Sequence, residues 1–304
     1  MSTAEQTFRV VREELTQQLA LISMAEKRYM AFLQELILKA ADRIRADFNK
    51  VNELRPFWTN YQPRQRGRSP LGNSTPWLEV AEKTVSTHLI QALTLENLTD
   101  LAYPGLPLGG DVRFTTGEVL IHFDIKATGP NDNPGEVVAS PFQISGDGKL
   151  WDGDGFMNSA VNVPRRTLTK APMIFRPALP PFYLLAGLRL ICLTYFLKVN
   201  YLRTSSGEQV LDYLELASVP NGLLLFDGPE YHQNIKGLLI AGKDDKTVQD
   251  GNRRVRVRFA PLATVGDWQR CVQVKWNREK GQWEAKPRPM TSLGSLTDKT
   301  KLGR

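Results

Sequence analysis

Thiols and imidazoles are scarce in this chain, which has two cysteines, Cys192 and Cys271, and three histidines, His88, His122 and His232. Two thiols cannot build a disulfide framework, and four-thiolate zinc is excluded by count. The histidines stand at no ligand-like spacing, so mixed zinc sites are not expected either. Long apolar runs are missing as well. The most apolar window, Pro181 to Leu197, is short for a membrane span and carries Arg189 at its middle, so it reads as buried core. Met1 to Glu14 is polar and charged, which argues against a cleavable signal peptide; a cytoplasmic location with no membrane partner is expected. Gly-x-Ser-x-Gly is absent, and Ser145 to Gly148 lacks the lysine–serine ending of a phosphate-binding loop. Asp152-Gly-Asp154-Gly155 places Phe156 where a calcium loop needs a ligand.

What is present is a chain of 304 residues, 41% hydrophobic, which is enough to bury a sizeable core. A charged fraction of 23% with 9% aromatics is not the composition of a disordered chain. The net charge of +7 is unevenly spread: from Lys243 to Arg304 there are 15 Lys+Arg against 7 Asp+Glu, and the preceding residues balance to −1. Such asymmetry suggests a polyanionic partner. Nucleic acid ranks ahead of membrane, because no basic amphipathic helix with a bulky apolar face accompanies the charge.

Apolar residues recur at helical spacing through Phe8, Val11, Leu15, Leu19 and Ile22, and again through Leu33, Leu36, Ile37, Ala40 and Ile44. The seam breaks near Glu26-Lys27-Arg28, so two amphipathic helices are expected in residues 1–52, packed on the body or on a partner subunit. Arg55 to Thr75 reads as loop, and Thr75-Pro-Trp-Leu-Glu79 as the start of a helix running to about Leu93. Strands are expected at Val112–Thr115 and Val119–Lys126, joined near Gly117, then at Leu188–Leu202, Tyr213–Leu216 and Arg254–Phe259. Gly129 to Val163, rich in Gly, Pro, Asn and Asp, reads as one long loop. This order predicts an α/β or α+β domain around one central sheet, with residues 53–265 as core and 266–304 as a basic C-terminal segment.

Chemistry concentrates in Val119-Leu-Ile-His-Phe-Asp-Ile-Lys126. Alternation puts Val119, Ile121, Phe123 and Ile125 on one strand face and His122, Asp124 and Lys126 on the other. Asp111 lies thirteen residues before Asp124, and a hairpin-like return could bring the two together. Two carboxylates and a lysine at one strand end could hold Mg²⁺ and cleave a phosphodiester. An Asp-x-Lys on an amphipathic strand is also commonly a solvated face, and spacing alone leaves both readings open. A second cluster spans Gly242-Lys-Asp-Asp-Lys-Thr247 and Arg253 to Arg258. There Arg254, Arg256 and Lys243 could donate to guanine, and Asp245 could accept from cytosine, or the hairpin could be a charged sheet edge.

The blocks Ile44–Tyr61, Pro76–Val85, Gly105–Asp111, Phe123–Asp132, Leu216–Leu223, Gly242–Thr247 and Arg254–Val257 occur in an order that resembles type II restriction endonucleases of the PD-(D/E)xK nuclease superfamily. The resemblance implies a restriction-endonuclease-like α/β core, a central mixed β-sheet flanked by helices, acting as a homodimer on double-stranded DNA in a prokaryotic cytoplasm. It implies that Asp111 and Asp124 bind metal, that Lys126 is the catalytic lysine, and that Glu82 is an additional acidic catalytic residue. Lys243, Asp245, Arg254, Arg256 and Asp132 would contact bases, the first four within the segment 242–258. The resemblance further implies Mg²⁺, with Mn²⁺ able to substitute, and cleavage at GCCNNNNNGGC leaving 3′ overhangs. A cognate DNA methyltransferase would be required functionally, not physically. The chain departs from the resembled pattern in four respects: Gly110 stands where the superfamily usually has proline, the Asp111–Asp124 connection is shorter, His122 occupies a bulky apolar position, where it reads as a spacer rather than a ligand, and the C-terminus, with Trp268, Trp276 and Trp283, diverges. Two other readings are a repair nuclease of the same superfamily, acting on DNA structure, and a non-catalytic sequence-specific DNA-binding protein. Sequence-specific cutting of intact duplex separates the first from restriction. Function that survives loss of Asp124 and of Mg²⁺ marks the second.

Overall fold

The computed structural model describes residues 14–54, 80–96, 98, 101–103, 112–129, 132–148, 150–152, 155–166, 171–185, 187–227, 237–242 and 253–289, with backbone alone at 150–152, 155–157, 185 and 227. One seven-stranded sheet organises them. It comprises β1 (Val112–Thr115), β2 (Val119–Thr128), β8 (Phe182–Leu185), β9 (Leu188–Arg203), β10 (Gln209–Val219), β13 (Cys271–Asn277) and β14 (Gln282–Pro287). The order is β1-β2-β9-β10-β13-β14, with β8 also paired to β9. β2 and β9 run parallel and the other pairs antiparallel, so the sheet is mixed. A parallel pair must be covered on both faces, and most of the residues of these two strands are buried.

Helix α1 (Leu15–Glu53) and helix α2 (Val85–Thr94) cover one face. Their Leu33, Ile37, Ile44, Phe48, Val85 and Leu89 pack with Val119, Ile121, Phe123 and Ile125 of β2 and with Leu193, Tyr195 and Leu197 of β9. On the opposite face Phe196, Ala217 and Cys271 meet a small sheet ordered β11-β12-β3, made of β3 (Glu136–Ala139), β11 (Leu239–Ala241) and β12 (Val255–Arg258). Two further two-stranded sheets pair β4 (Leu150–Asp152) with β5 (Gly155–Met157), and β6 (Val161–Val163) with β7 (Met173–Phe175).

Three expectations change. The N-terminal pattern forms one helix of 39 residues instead of two, about 58 Å long at 1.5 Å per residue. The seam does not break at Glu26 because that side chain turns inward: its Oε2 accepts from Arg270 Nη2 at 2.6 Å and its Oε1 from the Asn221 backbone N–H at 2.6 Å. The presumed loop 129–163 holds β3, a tight 3₁₀ turn (Pro141–Gln143), β4, β5 and β6. The apolar window from Pro181, expected to be core throughout, is core only from Leu190 on: it folds as the antiparallel pair β8–β9 around Gly187, whose φ of 82° favours glycine, and the turn end leaves Leu184 and Leu188 exposed. Thr75 and Pro76, expected to start the second helix, lie outside the described residues; 80–84 form a wider π-type turn that leads into α2.

Candidate active site

The β2 alternation holds in three dimensions. Val119, Ile121, Phe123 and Ile125 enter the helix-side core, so His122, Asp124 and Lys126 stand on the opposite face. Asp124 is 3% exposed. Its Oδ2 lies 2.8 Å from Lys126 Nζ, and its Oδ1 accepts from Gln143 Nε2 at 2.6 Å. Lys126 keeps about a third of its side chain open to solvent, so the pair joins a sequestered anion to a reachable ammonium. Asp111 lies outside the described residues, immediately before β1, whose first residue Val112 faces Phe123 across the β1–β2 pair.

His122 is buried with neither ring nitrogen hydrogen-bonded, and its ring stacks on Tyr183 with centroids 5.8 Å apart. Burial, reinforced by the nearby Arg113 charge, holds its pKa down to about 3. The imidazole is therefore neutral and acts as a spacer. Arg113 stands opposite His122 on β1, and its charge is felt by Tyr183, Asp124 and Cys192; burial lowers its own pKa.

One step along β9, Lys198 is the register partner of Lys126. It is buried, and its Nζ donates to the carbonyls of Asn133 at 2.8 Å and Glu136 at 2.7 Å. Desolvation lowers its pKa to about 8, against the pull of Glu215, Glu136 and Asp132. Glu215, opposite Lys198 on β10, is ion-paired with Arg288 and accepts from Gln273 Nε2 at 3.3 Å. Burial raises its pKa, and Arg288 opposes that shift.

The other expected site residues spread around this centre. Glu82 lies in the turn that leads into α2, half-buried; burial raises the Tyr201 pKa, and the charges of Asp132 and then Glu82 add to that shift. Asp132 is exposed and closes its own turn, with Oδ2 accepting from the Gly129 N–H at 3.0 Å. Arg256 sits in the middle strand of the small sheet and is ion-paired with buried Glu136, which also binds Arg166 Nη2 at 2.5 Å. Arg254 is exposed just before β12. Lys243 and Asp245 lie outside the described residues. Sequence reasoning missed Gln143, Lys198, Glu136 and Glu215. Lys198 was detectable as a lone cation inside an apolar strand; Gln143 carried no such signal.

Oxygen donors suit a hard divalent cation better than a soft one. Asp124 supplies such oxygens, and no thiolate stands beside it among the described residues, where no cluster of three or more ligating side chains occurs either. A mixed sheet with an Asp-x-Lys pair on an interior strand fits the restriction-endonuclease fold class. The chain belongs to the BglI family of restriction endonucleases: residues 3–274 match the family described as "Restriction endonuclease BglI". The type II restriction enzyme BglI of Bacillus subtilis is 35% identical over 257 aligned positions, covering 77% of this chain and 84% of that enzyme. The crystal structure of BglI bound to its DNA recognition sequence superposes with a TM-score of 0.76 at 30% identity, over 89% of this chain and 96% of that one. Tetrameric SfiI bound to cognate DNA shares the fold, with a TM-score of 0.53 at 13% identity over 90% of this chain and 96% of that chain. The protein is thus a type II site-specific deoxyribonuclease, a class that generally uses a divalent metal.

Proposed function

We propose that this chain binds double-stranded DNA as a homodimer and hydrolyses both strands at an interrupted G·C palindrome, GCCNNNNNGGC, leaving 3′ overhangs, with Mg²⁺ as cofactor. The observation that carries the catalytic part is the buried Asp124 carboxylate held 2.8 Å from the Lys126 ammonium on an interior strand of the sheet. The family relationship to an enzyme crystallised on its DNA recognition sequence supports the substrate.

Asp111 and Asp124 are the residues to hold the metal, with Glu82 as an additional carboxylate. When bound, the ion acidifies an attacking water and neutralises charge on the scissile phosphate. Asp124 keeps its position because it is anchored on both oxygens. Lys126 presents a partly exposed ammonium to the phosphate, where it orients the water and stabilises charge that grows as the P–O bond to the leaving sugar breaks. Lys243, Asp245, Arg254, Arg256 and Asp132 are the base-reading set. G·C pairs offer guanine acceptors to the cations and cytosine donors to the carboxylates. A two-fold symmetric site calls for a two-fold symmetric protein, and the host needs a methyltransferase that protects the same sites.

The test is digestion of a plasmid of known sequence with Mg²⁺ and with EDTA, followed by end sequencing. Discrete Mg²⁺-dependent ends within GCCNNNNNGGC support the full reading. Cuts at another motif overturn the assigned site and the base contacts, and binding without cutting overturns the catalytic roles.

A further inference from the structure

Asp124 is held by a residue with no assigned part in catalysis or base reading. Gln143 ends the 3₁₀ turn Pro141–Gln143 that follows β3, and it is buried at 6% exposure. The two ends of its amide have different partners. Oε1 accepts from the Ser140 backbone N–H at 2.8 Å, which folds the side chain back over its own turn. Nε2 donates to Asp124 Oδ1 at 2.6 Å. The partners dictate this orientation, because the reverse would set a carbonyl against the carboxylate and an amine against a backbone N–H.

An aspartate carboxylate rotates broadly about its last torsion. One hydrogen bond to Oδ1 and one ammonium beside Oδ2 leave it a single plane. We propose that Gln143 is a positioning residue for metal binding: it fixes the rotation of the Asp124 carboxylate that would hold the divalent ion beside Lys126. This rests on the reading of Asp124 as a metal-binding carboxylate. A glutamine kept only to close its turn would need Oε1 alone. The donation from Nε2 is what makes the residue part of the site, in the way that partners behind metal ligands orient them.

The test is Gln143→Met, which keeps the length and bulk of the side chain and removes the donor. Two readouts are compared with the parent: Mn²⁺ binding to the DNA-free protein, followed through the paramagnetic signal of the free ion, and the Mg²⁺ concentration at half-maximal cleavage. Both should shift to higher metal by about ten-fold or more, the usual effect of removing a partner that orients a ligand. High Mg²⁺ should restore most of the rate, with metal-free duplex binding unchanged. If Gln143→Met melts early, Gln143→Asn replaces it, being polar but too short to span from the turn to Asp124. Parent-like Mn²⁺ affinity and an unmoved Mg²⁺ midpoint in a folded variant overturn the inference. Asp124→Ala runs alongside. If it binds Mn²⁺ as the parent does, the underlying assignment of Asp124 fails, and that is a different result from a silent Gln143 with an essential Asp124.

Discussion

Removing the Lys126 ammonium should stop hydrolysis while leaving duplex binding largely intact, because the role proposed for the side chain is at the scissile phosphate and not at the bases. Lys126→Ala and Asp124→Ala are therefore expected to retain most of the parent's affinity in a gel-shift assay without metal and to yield no cut plasmid; turnover near the parent's rate would remove them from the mechanism. Arg256 makes a different kind of prediction. Its ion pair with Glu136 holds the guanidinium at the middle strand of the small sheet, pre-oriented but largely covered, with 11% of the side chain exposed. Arg256→Ala should cost roughly 1–3 kcal/mol of discrimination at one base pair if it reads guanine, measured as relative affinity across single-substitution duplexes. A uniform loss across all sequences would make it a phosphate contact. These residues differ in how legible they were. Asp124 and Lys126 announced themselves through a strict period of two. Glu136 and Gln143 did not, because their roles depend on β12 and β2 arriving from distant parts of the chain.

At the scale of elements, α1 is tied to the sheet by one buried ion pair. Glu26 and Arg270 are both almost fully inaccessible, and the Tyr195 hydroxyl donates to the Glu26 carbonyl at 2.8 Å. Burial raises the Glu26 pKa, while Arg270 opposes that shift. Arg270→Met leaves a buried carboxylate without its cation and should destabilise by about 3–5 kcal/mol, and Glu26→Met with Arg270→Met together should recover much of it. Urea unfolding of the two variants decides; equal losses would mean that packing, not charge, is at stake. The pair explains why one helix read as two: its partners are 244 positions apart in sequence, so a charged triplet resembled a solvated break. Short strands were illegible for a related reason, since three or four residues such as Glu136–Ala139 show too little alternation to stand out in a Gly- and Pro-rich stretch. β2 carries a pH signature of its own. His122 resists protonation down to about pH 3 in the folded state, against an ordinary value of 6.5. The unfolded chain therefore takes up the proton first, and this group's contribution is complete above about pH 6.5 and is lost as pH falls toward 3. Denaturant titrations at pH 7 and pH 5 should show His122→Phe losing less stability than the parent. The difference should approach one proton's worth of slope, roughly 1.4 kcal/mol per pH unit, and identical slopes would mean that His122 takes up its proton alike in the native and unfolded protein.

At the scale of the whole molecule, fold and reaction meet in symmetry. The excess positive charge lies in the last fifth of the sequence. Part of that stretch is built into the sheet as β13 and β14, where Arg288 neutralises Glu215 and Arg45 packs its guanidinium over Trp276 at 3.9 Å. Its charge thus serves the fold as well as any DNA, which composition could not reveal. Each chain contributes one Asp124–Lys126 pair, and one pair can face only one scissile phosphate at a time. At the proposed palindromic site, two chains related by a two-fold axis would each attack its own strand. Mixed dimers test this directly. Parent and Asp124→Ala chains carrying different affinity tags are co-expressed, and the heterodimer is purified through both tags. With supercoiled plasmid bearing one site, the heterodimer should accumulate open circles nicked in a single strand, whereas the parent dimer yields linear DNA. If the heterodimer linearises the plasmid as fast as the parent, one active site cuts both strands in turn, and the two-fold arrangement serves recognition alone. Full inactivity of the heterodimer would instead mean that each site depends on the other's chemistry, a coupling that a static pair of independent centres does not supply.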